Sequence, residues 1–260
     1  MPDALSGAAA VVTGAGRGIG RAIALALAAE GATVFAVART RETLERLADD
    51  ARASGATVVP VPCDVSLERD VRRVADAVAG RFPALRVLVN AAALRMHQLG
   101  DPDALRVPVL ELSVEDWDRV VAVDLRGPFL CCRYLGPLLA AAGGAGVVNI
   151  SAGAAVRPDA GRAPYAASKA GLDALTRTLA LEWRDARVAV NSLDPGAHVI
   201  TEDHRAGTRA KEAGLRYVTP EAMVPPTLYL AQGTVTGQRV DAMAWNEANG
   251  FGGFDRWEAR

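Results

Sequence analysis

The chain has 260 residues with 29 basic and 30 acidic side chains, which gives a formal net charge of −1 at pH 7. The two signs are interspersed and leave no basic face for nucleic acid or an anionic membrane, so we expect a small-molecule partner. Half of the residues are hydrophobic, yet no uninterrupted apolar run reaches the roughly 18 residues that a membrane-spanning helix needs. Residues 1–6 lack the basic flank and apolar stretch of a secretory signal, so we expect a cytoplasmic protein.

The stretch that organises the chain is residues 11–20, with the sequence VVTGAGRGIG. An apolar run stops at a glycine-rich turn and an apolar-periodic segment follows, which predicts a strand, a turn and a helix. Because Gly14, Gly18 and Gly20 have no Cβ, the backbone can approach a pyrophosphate while the new helix points free N–H groups at the phosphates. We therefore expect a dinucleotide ligand; a tight turn without a ligand is the alternative. The predicted contacts in this turn are Gly14, Gly16, Arg17, Gly18, Ile19 and Gly20.

Strands and helices alternate along the whole chain. Strands are predicted at Ala8–Thr13, Thr33–Ala38, Thr57–Cys63, Leu85–Asn90, Gly146–Ser151, Val188–Leu193 and Thr234–Asp241. Helices are predicted at Gly18–Glu30, Arg41–Ala53, Leu67–Phe82, Trp117–Ala142, Pro164–Arg184 and Pro220–Gln232. Alternation without a linker or repeat predicts one α/β domain over residues 1–260, a Rossmann-type doubly wound parallel sheet of about seven strands with helices on both faces.

The end of the second predicted strand distinguishes the two nicotinamide dinucleotides. A carboxylate there holds the ribose 2′-hydroxyl of NAD(H), whereas a neutral residue followed by arginine admits the 2′-phosphate of NADP(H). This chain has Ala38 followed by Arg39, and Arg17 in the glycine turn can converge on the same phosphate. We therefore predict NADP(H) in preference to NAD(H). The alternative is that both are ordinary surface arginines in an arginine-rich chain.

A tyrosine and a lysine, Tyr165 and Lys169, lie four residues apart near the start of a predicted helix. Their side chains share one helix face, about one turn apart. A neighbouring ammonium favours the ionised form of a phenol, so Tyr165 is a candidate acid or base for a carbonyl or alcohol oxygen. The Y-x-x-x-K pattern alone is common, but here it follows a GVVNIS strand and precedes a DPG turn at residues 194–196.

Together with the T-G-x-x-x-G-x-G turn, this arrangement resembles the short-chain dehydrogenase/reductase (SDR) family over residues 5 to 240. The resemblance implies an NAD(P)-dependent oxidoreductase in which Tyr165 is the general acid/base and Lys169 orients the nicotinamide ribose. It implies that the two long helices pair between subunits, as a homodimer or homotetramer. It also implies cofactor contacts at Asp64, Val65, Asn90, Ala91, Tyr165, Lys169, Pro195, Gly196 and His198.

Two catalytic positions depart from the family's pattern. The serine expected 13 residues before the tyrosine is Ala152. The neighbouring Ser151 is a candidate, but adjacent strand residues point to opposite faces, so it substitutes only if the strand end twists or bulges. The asparagine expected in the preceding helix is Asp124. Its backbone carbonyl can keep the family's water-holding role, while its carboxylate adds a negative charge near Lys169.

These departures leave three functions open. The first is an NADP(H)-dependent oxidoreductase acting on a carbonyl/alcohol pair of a small or medium-sized metabolite. The second, motivated by the missing serine, is a proton-transfer enzyme on the same scaffold, such as a cyclase, dehydratase or epimerase. The third is an inactive cofactor-binding subunit. His97 and His198 are candidates to replace the missing hydroxyl.

Three segments are expected to carry specificity or contacts. Residues 94–112 and 197–219 are predicted substrate loops, and the aromatic tail at residues 244–260 is expected to dock on the active-site mouth or on a neighbouring subunit. The three cysteines, Cys63, Cys131 and Cys132, show no metal-ligand spacing. We expect buried free thiols and no metal site.

Overall fold

A computed structural model of the chain describes residues 5–94, 106–201 and 216–259. The strands are β1 Ala9–Thr13, β2 Thr33–Ala38, β3 Thr57–Pro62, β4 Val87–Asn90, β5 Ala145–Ile150, β6 Val188–Asp194, β7 His198–Val199, β8 Tyr217–Val218 and β9 Arg239–Asp241. The helices are α1 Gly18–Ala29, α2 Arg41–Ala53, α3 Glu68–Ala79, α4 Val114–Val121, α5 Gly127–Ala141, α6 Ala163–Glu182, α7 Val224–Ala231, α8 Ala242–Ala248 and α9 Phe254–Trp257. A π-helical turn spans Ala122–Arg126, and 3-10 turns span Gly153–Ala155 and Pro220–Met223.

Seven strands form one parallel sheet in the order β3-β2-β1-β4-β5-β6-β9. Its central strands are buried on both faces, as continuous apolar runs such as AAVVT in β1 predict. Ile23 of α1 and Leu44 of α2 belong to one core, while Val74 of α3 and Leu135 of α5 belong to a second. The doubly wound parallel sheet predicted from the sequence is confirmed. None of the helices in the described ranges combines the length and apolar character that crossing a bilayer requires.

The strand order reverses between β1 and β4, and this reversal positions the site. Strands β2 and β3 lie on one side of β1, whereas β4, β5, β6 and β9 lie on the other. The loops that leave the carboxyl ends of β1 and β4 therefore diverge and open a crevice, where doubly wound sheets bind their ligands. The glycine turn and the segments after β4, β5 and β6 all reach this edge.

The last strand is shorter than predicted. The sequence predicts a strand over Thr234–Asp241, but only Arg239–Asp241 pairs with β6 in the ladder. The side-chain amide of Asn191 in β6 binds the carbonyl of Val235 at 2.7 Å and the N–H of Gln238 at 3.0 Å. The residues ahead of β9 are thus held by a side chain and do not extend the strand.

The helix predicted at Trp117–Ala142 is two helices, α4 and α5, joined by the π-helical turn. It begins at Val114, because Ser113 caps α4 by accepting a hydrogen bond from the N–H of Asp116 at 3.0 Å. Serine is among the residues preferred at helix N-caps. The extra residue in the π-helical turn is a feature often found at functional sites. Here the turn contains Asp124, whose side chain is fully buried.

The C-terminal segment packs against its own chain. Val218 of β8 forms an antiparallel bridge with Glu258. Trp257 joins an apolar cluster that also contains Ile19 of the glycine turn. The last residues of the chain therefore contact β8 and the start of α1.

Candidate active site

The turn after β1 is shaped for a close approach by another group. Gly14 has a φ of +67°, in the left-handed region that favours glycine. A Cβ on Gly14 would lie 2.8 Å from Cα of Ala92, and one on Gly20 would overlap the Gly14 carbonyl oxygen. Helix α1 begins within this turn and has no acidic residue in its first turn. Both clashes are with the protein's own backbone, so glycine lets this turn pack closely against the loop after β4 and the start of α1. The N-terminus of α1 supplies the positive potential that suits a diphosphate.

Thr13, which sequence reasoning did not single out, fixes the loop after β4 against the glycine turn. Its Oγ1 accepts hydrogen bonds from the N–H groups of Ala91 and Ala92 at 3.0 and 3.1 Å. Asn90, a predicted cofactor contact, is buried and donates from Nδ2 to Oδ1 of Asn149 at 2.8 Å. The Asn90 side chain therefore joins β4 to β5. The signal for Thr13 was present, because this threonine opens the T-G-x-x-x-G-x-G pattern.

The predicted 2′-phosphate residues lie at the carboxyl ends of β1 and β2. Arg39 is exposed and makes no hydrogen bond or ion pair within the described residues. It lines an open depression of about 560 Å³ together with Arg41 and Asp64. Arg17 is exposed in the glycine turn. Arg41, which the sequence did not suggest, has only a long contact of 3.8 Å to Glu45, so the depression offers guanidinium donors suited to a phosphate.

Asp64 and Val65, predicted to contact adenine, follow β3. Oδ1 of Asp64 accepts hydrogen bonds from the N–H and Oγ of Ser66 at 2.9 and 2.7 Å. The Asp64 N–H donates to Oδ2 of Asp70 at 3.1 Å. Val65 is buried in the second core. Asp64 therefore orders the turn ahead of α3 through its hydrogen bonds with Ser66 and Asp70, and it also borders the depression beside Arg39.

Tyr165 and Lys169 lie one turn apart at the start of α6. Nζ of Lys169 lies 5.6 Å from the centroid of the Tyr165 ring and donates to the carbonyl of Ile150 at 2.9 Å. Lys169 is 3% exposed, whereas Tyr165 is half-buried and packs against Leu94 and Val120. The pair therefore combines an accessible phenol with a buried ammonium.

Asp124 stands beside Lys169. Its Oδ2 lies 3.8 Å from Nζ of Lys169, and the two side chains are 0% and 3% exposed. Its Oδ1 accepts a hydrogen bond of 2.6 Å from the N–H of Leu94, the first residue of the predicted substrate loop. The carboxyl group of Asp124 therefore lies next to the ammonium group of Lys169. Because both groups are buried, each compensates the charge of the other in the interior.

The position expected to carry serine has no hydroxyl. Ala152 continues β5 in an extended conformation, with φ −157° and ψ 158°. Ser151 is 2% exposed, and its Oγ has no hydrogen-bond partner among the residues that the structure describes. Its N–H donates to the carbonyl of Leu193 at 2.9 Å, as in a regular strand. Ser151 is thus buried, whereas Ala152 is partly exposed. This difference agrees with strand alternation, which argues against Ser151 simply taking the place of the expected serine.

A charged cluster that the sequence did not predict lies next to Ala152. Nε of Arg239 donates to Oδ2 of Asp173 at 3.0 Å, and Nη2 donates to Oδ2 of Asp194 at 2.5 Å. Nη2 also donates to the carbonyl of Ala152 at 3.2 Å. Oδ1 of Asp194 accepts from the N–H of Gly196 at 3.1 Å. This cluster, which we call the Arg239 cluster, fixes the residue after β5 and the turn after β6 relative to α6.

The remaining predicted residues follow β6. Pro195 and Gly196 form the turn, with Gly196 at a φ of +68°. His198 opens β7, is exposed, and has its ring 5.7 Å from the ring of Tyr217. His97 and the central parts of both predicted substrate loops, residues 95–105 and 202–215, lie outside the described residues.

Comparison with known proteins agrees with this geometry. The family model described as short chain dehydrogenase matches residues 8–212. The chain belongs to the short-chain dehydrogenase family. Among the relatives of this short-chain dehydrogenase, D-threitol dehydrogenase from Mycolicibacterium smegmatis is 35% identical over 216 residues, covering 83% of this chain and 80% of the relative. A 3-oxoacyl-(acyl-carrier-protein) reductase from Thermotoga maritima is 32% identical over 243 residues, covering 90% and 95% of the two chains.

A solved structure has the same fold as this short-chain dehydrogenase. It is a candidate NAD(P)-dependent gluconate 5-dehydrogenase from Beutenbergia cavernae, crystallised with NADP bound at low occupancy. The two chains align with a TM-score of 0.82 at 33% identity, covering 93% of this chain and 97% of the other. The family, its relatives and this structure identify an SDR-family oxidoreductase.

Proposed function

We propose that this short-chain dehydrogenase is an NADP(H)-dependent oxidoreductase that interconverts a carbonyl and an alcohol on a small or medium-sized metabolite. The observation that carries the proposal is the half-buried Tyr165 beside the buried Lys169. Both lie on the helix that follows β5, at the sheet edge that also bears the glycine turn. A phenol next to a cation is suited to proton exchange with a substrate oxygen.

Each residue of the candidate site has a distinct role in this proposal. The Tyr165 hydroxyl donates a proton to the carbonyl oxygen in reduction, and its phenolate accepts the alcohol proton in oxidation. The Lys169 ammonium stabilises that phenolate. Asp124 balances the charge of Lys169, which the carbonyl of Ile150 also holds in place. NADP(H), when bound, supplies or accepts the hydride.

The residues proposed to hold NADP(H) fit its shape and charge. A Cβ at Gly14 or Gly20 would clash with the protein's own backbone, so only glycine permits the tight turn that brings the N-terminus of α1 to the place where a diphosphate binds in this fold. Arg39 has no ion pair within the described residues, and Ala38 offers no carboxylate to a ribose 2′-hydroxyl. The NADP bound at low occupancy in the Beutenbergia cavernae structure supports binding of this cofactor by analogy.

The missing hydroxyl at Ala152 favours a second candidate function. Loss of one donor to a developing oxyanion costs roughly 10²- to 10³-fold in rate. Hydride transfer by this enzyme is therefore slow unless another group donates. The second candidate is a proton-transfer reaction such as cyclisation, dehydration or epimerisation, with Tyr165 or Asp124 as the acid or base.

Cofactor titration followed by a substrate panel separates the two candidates. NADPH, NADP⁺ and NADH are titrated by fluorescence, and the absorbance of reduced nicotinamide is then followed with a panel of ketones and alcohols. We expect NADPH to bind more tightly than NADH, with turnover of at least one compound. Tight NADPH binding without oxidation across the panel would favour proton transfer, and binding of neither cofactor would contradict both candidates.

We also propose that the enzyme works as a homodimer or homotetramer in the cytoplasm. Phe129 of α5 and Leu181 of α6 are 45% and 68% exposed, so both long helices carry apolar side chains that self-association can bury. Cys63, Cys131 and Cys132 are free thiols, in keeping with a reducing compartment. Size-exclusion chromatography with light scattering measures the number of subunits, and a monomer at micromolar concentration would contradict the proposal.

A further inference from the structure

Arg162 immediately precedes α6 and packs on the ring of Tyr165. Its guanidinium carbon lies 4.8 Å from the ring centroid, compared with 5.6 Å for Nζ of Lys169. The Arg162 side chain is 27% exposed, so it is partly enclosed but reachable by a small molecule. The guanidinium therefore lies against the ring of the residue proposed to exchange a proton with the substrate.

Arg162 has hydrogen-bond donors that no described residue accepts. Its guanidinium makes no hydrogen bond within the described ranges. The carboxylate that it faces is Asp159, where Nη1 and Oδ2 are 3.6 Å apart, beyond normal hydrogen-bond distance. The same oxygen lies 3.8 Å from Nη2 of Arg106. Two arginines therefore share one carboxylate, and the planar donor fork of Arg162 remains available to a ligand.

The backbone fixes Arg106 at this place. The N–H of Val107 donates to the carbonyl of Gly161 at 2.8 Å, and a Cβ on Gly161 would lie only 2.7 Å from Cβ of Arg106. We call this surface the arginine wall; it consists of Arg106 and Arg162, which share the carboxylate of Asp159. With two guanidinium groups and one carboxylate, the wall beside Tyr165 has a net positive charge.

We propose that Arg162 binds an oxyanion group of the substrate, a carboxylate or a phosphate, and thereby selects acidic metabolites for the Tyr165 site. This inference rests on the oxidoreductase function proposed above. The guanidinium fork matches two oxygens of an oxyanion at once. Stacking on the Tyr165 ring orients the fork, and the positive charge of the arginine wall is neutralised when the anion binds.

Three six-carbon probes test the inference. D-Gluconate carries a carboxylate at C1, where D-glucitol carries a hydroxymethyl group. D-Glucitol 6-phosphate differs from D-glucitol by a phosphate ester at C6. Oxidation of each probe is followed with NADP⁺ to obtain kcat and KM. A charged hydrogen-bonded contact is worth roughly 10- to 100-fold in binding, so we expect KM to be lower by that factor for an anionic probe than for D-glucitol. The better of the two anions identifies a carboxylate or a phosphate site.

Substitution of Arg162 then assigns the effect to this residue. Arg162→Met is expected to raise KM for the preferred anion by roughly 10- to 100-fold more than it raises KM for D-glucitol. Arg162→Lys keeps the charge but not the planar donor fork. Its KM for the preferred anion is therefore expected to lie between that of the unmodified protein and that of Arg162→Met. Arg177→Met is the matched control, because it removes an exposed arginine about four turns further along α6. We expect no change in KM for this variant.

Two results would overturn the inference. One is an equal KM for charged and uncharged probes in the unmodified protein. The other is an Arg162→Met variant in which KM changes by the same factor for all three probes. If NADPH binds but no probe is oxidised, none of the three is a substrate, and the panel of ketones and alcohols tests the proposed function separately. D-Gluconate and D-glucitol 6-phosphate are then titrated calorimetrically into the NADP⁺-loaded protein. Binding of either anion that is lost in Arg162→Met supports the inference. The inference is refuted if the unmodified protein binds neither anion, or if Arg162→Met binds both as the unmodified protein does.

Discussion

Replacement of Arg239 by methionine is expected to destabilise the protein strongly. Arg239 is 26% exposed, and the two carboxylates that it bridges, on Asp173 and Asp194, are each 5% exposed. Methionine keeps an unbranched apolar stem but removes the hydrogen bonds to both carboxylates and to the carbonyl of Ala152. Two buried negative charges would then lack the cation that compensates them.

The size of the effect follows from this burial. Removal of one partner of a buried ion pair costs roughly 3–5 kcal/mol, and we expect a loss of unfolding free energy in this range for Arg239→Met. Oδ1 of Asp173 is already buried without a hydrogen-bond partner among the described residues. The Asp173 carboxylate therefore has little scope to replace the hydrogen bond that it loses. With a urea dependence of about 3 kcal/mol per molar, the midpoint of unfolding falls by about 1–2 M.

Arg216 provides a matched control with the same number of ion pairs at the surface. It bonds Asp255 at 2.7 Å and Glu258 at 3.0 Å, but its side chain is 53% exposed and the carboxylates are 91% and 41% exposed. Water replaces these contacts when they are lost, so Arg216→Met is expected to shift the midpoint much less than Arg239→Met.

The assay is urea unfolding followed by tryptophan fluorescence and circular dichroism. All variants are compared at one protein concentration, because the stability of an oligomer depends on it. Equal midpoint shifts for the two arginine variants would refute the reasoning, since burial of the Arg239 cluster would then contribute nothing.

Three further predictions concern single residues. Arg39→Asp is expected to shift cofactor preference towards NADH, because a carboxylate there repels the 2′-phosphate and can bind the 2′-hydroxyl; the ratio of the two Kd values measures it, and an unchanged ratio would contradict the assigned phosphate contact. Ala152→Ser adds a donor for the developing oxyanion and is expected to raise kcat on a carbonyl substrate by about 10²-fold. An unaltered kcat would mean that another group already donates. Burial raises the pKa of Cys63 and of Cys132 to about 12, so both stay protonated at pH 8. We expect iodoacetamide to label them only after unfolding in urea; rapid labelling of the folded protein would be inconsistent with this.

The sequence predicts the fold best where one local cause dominates. Strand β2 and helix α2 have the predicted bounds, because a continuous apolar run and a regular amphipathic period each leave no competing structure. The prediction of the last strand over Thr234–Asp241 was wrong in its extent for a non-local reason. The side chain that holds its first residues, Asn191, lies on another strand, and no local pattern reports such a contact.

The residues of the candidate site likewise divide into those that a local sequence pattern predicts and those that depend on contacts distant along the chain. The four-residue spacing of Tyr165 and Lys169 was enough to predict that they share a helix face. The partners of Arg239 lie 45 and 66 residues away along the chain, so the Arg239 cluster has no local signal. Arg162 is only three residues ahead of Tyr165. Its stacking on the ring depends on the conformation of the residue before α6, which the sequence does not specify.

The central claim is that the Tyr165 hydroxyl exchanges the proton with the substrate oxygen. It is tested most directly by comparing Tyr165→Phe with the unmodified enzyme, measuring the NADPH dissociation constant and the kcat for the best carbonyl substrate of the panel. The account predicts an unchanged dissociation constant and a kcat lower by about 10²- to 10⁴-fold, the usual contribution of a general acid or base. A Tyr165→Phe variant with the kcat of the unmodified enzyme would contradict it.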